Sequence, residues 1–297
     1  MNILRNIFYY FVGFIFLVLA KAKNHLKGYT TPKPITTDKT DECVQYDIFV
    51  VEHWLAYLEK YTNGNYTLKE KNILELGPGS DLGVGVYLIA KGCLMYSALD
   101  KNNLIIDMPN TFYQTLIEKL RRKNEDLDLE NVNLVLEEAK KGLTSKLNYV
   151  VRDDFNLILA FGENKFDLVF SQAAFEHYDD IEKTLSQLSV VSKPGAILIT
   201  EIDLMTHSRW IREKDPNNIY RYSNKIYNIF NFNGIPNRCR PYQYKEVLER
   251  HGWDNIQIIP LQTFDCSVDQ YFGINKKFRS KENQMDYLSI ILCARKK

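Results

Sequence analysis

The sequence predicts an α/β fold, a mostly parallel sheet covered by helices on both faces. Three observations carry this. Short, uninterrupted apolar runs recur along the chain, as strands buried on both faces do. Stretches with apolar residues at helical spacing lie between them. A glycine-rich turn joins the first such run to the helix after it.

In chain order, Ile48, Val51, Leu55 and Leu58 form a helical stripe within Val44 to Tyr61, and Asn63-Gly64-Asn65 ends that helix. Asn72 to Leu76 (N-I-L-E-L) reads as a buried strand, Val84 to Lys91 as a helix, and Leu94 to Leu99 as a second strand closed by Asp100. Residues 101–146 read as mostly helical, with the charged run Glu118 to Glu130 on a solvated face. Leu147 to Val151, Phe166 to Phe170 and Ala196 to Ile202 are the next strands, with a helix at Ile181 to Val191. A helix at Tyr244 to His251 is stopped by Gly252, and strands at Ile256 to Ile259 and Tyr287 to Ala294 follow. The expectation is a Rossmann-like, mostly parallel seven-stranded sheet.

The composition narrows the function classes. Of 297 residues, 38 are Lys or Arg and 37 are Asp or Glu, so the net charge of +1 leaves no dominant polyanion-binding surface. With 45% hydrophobic residues the chain can bury a substantial core. Its five cysteines are odd in number, scattered and without a C-x-x-C pair, which argues against a disulfide framework or a zinc knuckle.

Ile7 to Ala20 holds fourteen residues without a charge, preceded by Arg5 and followed by Lys21, Lys23 and Lys27. Three readings fit. A cleaved signal peptide suits the basic start and the small residues Ala20 and Ala22. An uncleaved anchor at residues 3–20 suits the lysines behind the run, which would hold the chain on the cytoplasmic side. A helix packed on the protein's own core is the third. The expected organisation is an N-terminal hydrophobic segment (1–27), a linker (28–43) and one domain (44–297) with an acceptor-side insertion or lid at 210–243.

The turn Glu75-Leu76-Gly77-Pro78-Gly79-Ser80-Asp81-Leu82-Gly83 places glycines where a backbone must turn sharply and approach a ligand. Asp100 closes the next strand, at a spacing suited to ribose hydroxyls. The third glycine of the dinucleotide fingerprint is displaced, Leu82 standing in its place. Taken together, I-L-E-L-G-P-G-S, A-L-D, F-D-L-V-F-S-Q-A-A-F-E-H and K-P-G-A-I-L-I-T-E-I-D resemble the class I S-adenosylmethionine-dependent methyltransferases. The resemblance spans roughly Val44 to the C-terminus. It implies S-adenosylmethionine as cofactor. Gly77 and Gly79 would face its methionine part, Glu75 its amino group and Asp100 its ribose. Asp153 or Asp154 would sit near the adenine amino group, and Ser171 and Gln172 near the transferred methyl.

A hydroxyl acceptor needs a base, and His207 with Asp203 as support follows the fifth strand at the ligand end of the sheet. The alternative for His207 is a loop histidine that caps the next helix. His177 is expected at the acceptor or lining the cofactor pocket. No grouping of acids demands a metal. The segment Trp210 to Tyr244 is rich in Tyr, Asn, Phe and Arg, groups that suit polyhydroxylated ligands. The stretch E-I-D…H…N-R-C-R-P and then H-G-W resembles a methyltransferase subgroup found with bacterial surface-polysaccharide assembly. That implies Asn237, Arg238 and Arg240 contacting the acceptor or bracing the lid. The function expected is O-methylation of a sugar in a surface glycan or its membrane-associated precursor, at the cytoplasmic side of the inner membrane. The alternatives are a lipid or quinone head group, or a non-catalytic S-adenosylmethionine-binding module. A nucleic-acid acceptor is not expected, because S-Q-A-A stands where the tetrapeptide of amino-directed nucleic-acid enzymes would be.

Overall fold

The computed structural model describes residues 2–28, 35–105, 109, 111–123, 126–141, 145–264 and 273–297. Helix α1 (Asn2–Lys27) is followed by α2 (Thr40–Thr62), β1 (Asn72–Leu76), α3 (Gly83–Ala90), β2 (Met95–Asp100), α4 (Thr111–Arg122) and α5 (Leu129–Lys140). Then come β3 (Leu147–Val151), α6 (Leu157–Phe161), β4 (Phe166–Gln172), α7 (Ile181–Val191) and β5 (Ser192–Asp203). Helices α8 (Arg209–Lys214), α9 (Asn224–Ile229) and α10 (Pro241–Arg250) lead to β6 (Trp253–Thr263) and β7 (Tyr287–Lys296).

The seven strands form one sheet in the order β3-β2-β1-β4-β5-β7-β6. All neighbours run parallel up to β5, and β7 is antiparallel to both β5 and β6. Burial on both faces explains the uninterrupted apolar runs. On one face Val51, Trp54 and Leu58 of α2 join Val86 and Ile89 of α3 against the sheet. On the other, Leu185 and Leu188 of α7 and Val247 and Leu248 of α10 do the same.

The expected elements are present, with shifted ends. Helix α2 starts at Thr40 rather than Val44, because Asp41 and Glu42 in its first turn favour the positive end of the helix dipole. Helix α10 starts at Pro241 rather than Tyr244; proline suits the first helical position, and the Gln243 side chain accepts the Arg240 N–H at 2.9 Å. Of the linker 28–43, residues 29–34 lie outside the described residues.

A third apolar cluster lies apart from the sheet. Leu17 of α1 packs with Ile219, Tyr220, Tyr222 and Tyr227 of the segment between β5 and α10, and with Phe278. Tyr10 and Phe14 pack on the same cluster, while Ile3, Leu4, Phe8, Phe11, Ile15 and Leu19 are exposed.

Candidate active site

The order of strands reverses between β1 and β4, so connections leave in opposite directions and a crevice opens at the strands' carboxyl ends. A cavity of about 440 Å³ occupies it. Gly77 has φ +73°, and a Cβ there would lie 2.7 Å from that of Ala174, so only glycine lets the turns after β1 and β4 meet. Gly79, also left-handed at φ +83°, lines the same cavity.

Buried acids line the cavity. Glu75 is fully enclosed, accepts a hydrogen bond from the Tyr96 hydroxyl, and has its carboxyl pushed up to about 8 by burial. Asp100 ends β2 with Oδ1 accepting the Asn102 N–H at 3.1 Å, and burial raises its carboxyl too. In the doublet after β3, Asp154 is taken up by Arg152 through two 2.9 Å contacts and by the Asn156 N–H at 3.0 Å. Arg152 holds the Asp154 carboxyl down at about 2. Both Asp153 and Asp154 line the cavity, Asp153 without an arginine partner among the described residues.

Asp47 of α2 reaches the cavity as well, a residue the sequence reading passed over. Burial, and then the neighbouring Asp81, push its carboxyl well above the usual range. An acid on the buried stripe between Val44 and Val51 was the signal available. Buried carboxyls held back from ionising, around a turn that tolerates no Cβ, fit a cationic ligand that presses on the backbone. S-adenosylmethionine is such a ligand, carrying an ammonium and a sulfonium.

Gln172 and His177 also line the cavity. Gln172 Oε1 accepts from Trp54 Nε1 at 3.0 Å. Ser171 does not line the cavity; it is buried, and its hydroxyl donates to Leu76 O at 2.8 Å, tying β4 to β1. His177 ends a 3₁₀ turn, Phe175–His177. Burial, and then His207, bring its imidazole down to about 4, so it is neutral near pH 7.

His207 and Asp203 do meet, with Nε2 and Oδ2 3.4 Å apart. Burial alone would raise the Asp203 carboxyl, but His207, the Met205 amide and Arg212 hold it below its ordinary value. The His207 ring lies 4.8 Å from that of His177, behind the wall of the cavity. Glu176 sits with them, buried; the sequence shows it beside His177 after the fourth strand but gives no sign that the glutamate turns inward.

The remaining residues expected at the acceptor brace the wall. Asn237 Nδ2 donates to Phe175 O at 2.8 Å and Tyr178 O at 3.1 Å, fixing the turn after β4. Arg238 donates to the carbonyls of Ile219 (3.2 Å) and Tyr222 (2.8 Å). Arg240, wholly buried, donates to those of Asn283 (2.8 Å), Gln284 (2.5 Å) and Tyr287 (3.0 Å). Of the insertion, Asn233 and Gly234 reach the cavity.

The chain is similar to several methyltransferases. Residues 111–200 match a family model described as a methyltransferase domain. A sterol 24-C-methyltransferase of Pneumocystis carinii is 26% identical over 167 residues, 56% of this chain and 42% of that protein. A probable chloroplastic tocopherol O-methyltransferase of Oryza sativa subsp. japonica is 28% identical over 123 residues, 40% of this chain and 32% of that one. The chain thus spans less than half the length of these curated relatives. Among solved structures, phosphoethanolamine N-methyltransferase 2 of Haemonchus contortus in complex with S-adenosyl-L-methionine superposes with a TM-score of 0.47. It is 15% identical, over 88% of this chain and 58% of that one. The chain has a Rossmann-like, largely parallel seven-stranded sheet, and its residues 111–200 match a methyltransferase domain. The buried acids and the glycine turn of the cavity fit S-adenosylmethionine as the cofactor.

Proposed function

We propose that this enzyme methylates a hydroxyl on the head group of a membrane-held lipid or quinone, working at the cytoplasmic face of a bilayer. The placement of α1 carries the reading. Ile3–Lys27 is long and apolar enough to cross a membrane, with mean hydropathy 2.0 and only 11% of its apolar window buried. Where α1 touches protein, it touches the insertion that supplies the acceptor wall. Asn218 Nδ2 donates to Tyr9 O at 2.9 Å, the Tyr222 hydroxyl to Tyr10 O at 2.8 Å, and Phe14 packs edge-on against Phe230. A helix in the bilayer would therefore hold the acceptor side of the cavity near the membrane surface and raise the local concentration of a lipid acceptor. The two curated relatives are named for a sterol and for tocopherol, which supports a lipid acceptor.

In this reading Glu75 faces the cofactor's ammonium, the Gly77–Gly79 turn its methionine part, Asp100 its ribose and Asp153 its adenine amino group. Bound there, the cofactor supplies an electrophilic methyl whose bond to sulfur breaks as the acceptor oxygen bonds to carbon. Gln172 and His177 shape the space where that oxygen arrives. His207, steadied by Asp203, stands behind His177 and takes the acceptor's proton by way of that ring, which lines the cavity. Ser171, Asn237, Arg238 and Arg240 hold the walls.

The sugar reading rests on the aromatic and amide groups of the insertion. Tyr220, Tyr222 and Tyr227 are buried and both arginines bond carbonyls, which leaves that reading with less support. Transfer of labelled methyl by the full chain in membrane vesicles tests the choice. Label in free lipid or quinone is the expected outcome. Label in lipid-linked sugar would replace it with the sugar reading, and no cofactor binding would end both.

A further inference from the structure

We propose that Glu176, His177 and His207 bind a divalent first-row transition cation behind the acceptor wall, where it takes an acceptor oxygen as a further ligand. The inference rests on the methyltransferase reading for its role, though not for its existence. One ligand atom from each residue lies within 4.8 Å of the others. The second observation is independent of that proximity. Glu176 is 2% exposed, and neither of its carboxylate oxygens has a hydrogen-bond partner among the described residues. Nor has Nδ1 of His177 or Nε2 of His207.

Leaving a buried carboxylate without a partner is costly, and native structures resolve it with a proton, a water or an ion. Arg212 reaches this neighbourhood but is engaged by Asp203. No lysine or arginine contact to Glu176 occurs among the described residues, so an ion is the remaining source of positive charge.

The donor set narrows the ion. Two imidazoles and one carboxylate suit zinc, iron, cobalt or manganese rather than magnesium, which prefers oxygen ligands. Ligand atoms each about 2.1 Å from a cation stand at most roughly 4.2 Å apart. The widest pair must therefore close slightly, a movement within reach of the half-exposed His207 ring. His177 alone of the three also lines the cavity, so the open side of the ion faces the acceptor.

Loaded, the cluster would replace the free His207 imidazole as the activating group. A coordinated hydroxyl loses its proton to water more readily, its oxygen bonds to the methyl carbon, and sulfur keeps the electron pair of the broken bond. The ion ends the cycle unchanged.

The test is titration of the tag-free, full-length chain in detergent with cobalt(II) chloride, followed by visible absorption, with S-adenosylmethionine calorimetry on the same sample. One cobalt per chain is expected, bound at least about 10-fold more weakly by Glu176→Gln and by His207→Ala, with cofactor affinity kept in both. No cobalt binding by a chain that binds the cofactor overturns the inference and leaves the methyltransferase standing. Cobalt bound equally by both variants also overturns it, as adventitious binding elsewhere. Cobalt bound without any cofactor binding keeps the ion site and removes the methyltransferase reading.

Discussion

The two ends of the cavity are built in different ways. At the cofactor end, Glu75, Gly77, Asp100 and Asp153 sit on or just past the ends of adjacent parallel strands, so the backbone of the sheet sets their positions. At the acceptor end, the turn after β4, the loop after β5 and the segment between β5 and α10 are held by side chains bonded across the sequence. Asn237, for instance, bonds to Phe175 about sixty positions away. The first end depends on topology and the second on cross-bracing. Each should therefore fail independently of the other.

The largest expected effect separates them by chemistry. His207→Ala should lower turnover by about 100-fold or more, the usual weight of a positioned proton acceptor, while cofactor affinity stays within about twofold. Both as free base and as cation ligand, His207 acts only at the acceptor end. Near-native turnover in that variant would remove it from the chemistry. The next effect is on stability. Arg240→Ala leaves the carbonyls of Asn283, Gln284 and Tyr287 without their buried donor, at a cost of about 1–3 kcal/mol for each one left unsatisfied. Denaturant unfolding should show a loss of at least about 3 kcal/mol. A loss under about 1 kcal/mol would mean that water re-enters and that the bracing is dispensable.

The same contrast governs what could be read in the sequence. The strands, their order along the chain and the acids at their ends follow local rules, since apolar runs, glycines and spacing need no knowledge of the rest of the fold. Arg238 and Arg240 are legible as unusual, but whether they meet a ligand or carbonyls depends on residues 16 and 19 positions away for Arg238 and more than forty away for Arg240. Tyr220, Tyr222 and Tyr227 look like a ligand surface in one dimension and are the core of a small cluster in three. Asp47 was hidden because a helical stripe is read by its apolar members. Glu176 was hidden because nothing local distinguishes a glutamate that turns inward from one that turns out.

At the cofactor end the expected effect is a proton. Burial raises the Glu75 carboxyl from its ordinary 4.5 to about 8. The ionised form is thus disfavoured in the folded, cofactor-free chain. The contribution of Glu75 to stability is fully present below pH 4.5 and is lost as pH rises through about 8. A cofactor ammonium reverses this by favouring the carboxylate. Binding near pH 7 should release a proton, and affinity should rise with pH until about 8. Calorimetry in two buffers of different ionisation heat measures the release. Asp47 and Asp81 can contribute protons too, so the decisive comparison is with Glu75→Gln, which should release fewer. Equal release by both chains would move the titrating acid from Glu75 to that pair.

The smallest effect probes the joint between α1 and the acceptor wall. Tyr222→Phe removes only the hydroxyl that donates to Tyr10 O, worth about 1 kcal/mol, or roughly fivefold in a local opening equilibrium. Amides of α9 and of the turn before it should exchange with solvent about fivefold faster, while those of β1 and β2 keep their rates. The β-strand amides are the internal control, because no bond of Tyr222 reaches them. If α1 merely tethers the chain, exchange in the insertion will not change, and the helix will have no part in shaping the acceptor end. If exchange rises there, α1 is also one of the supports of that wall.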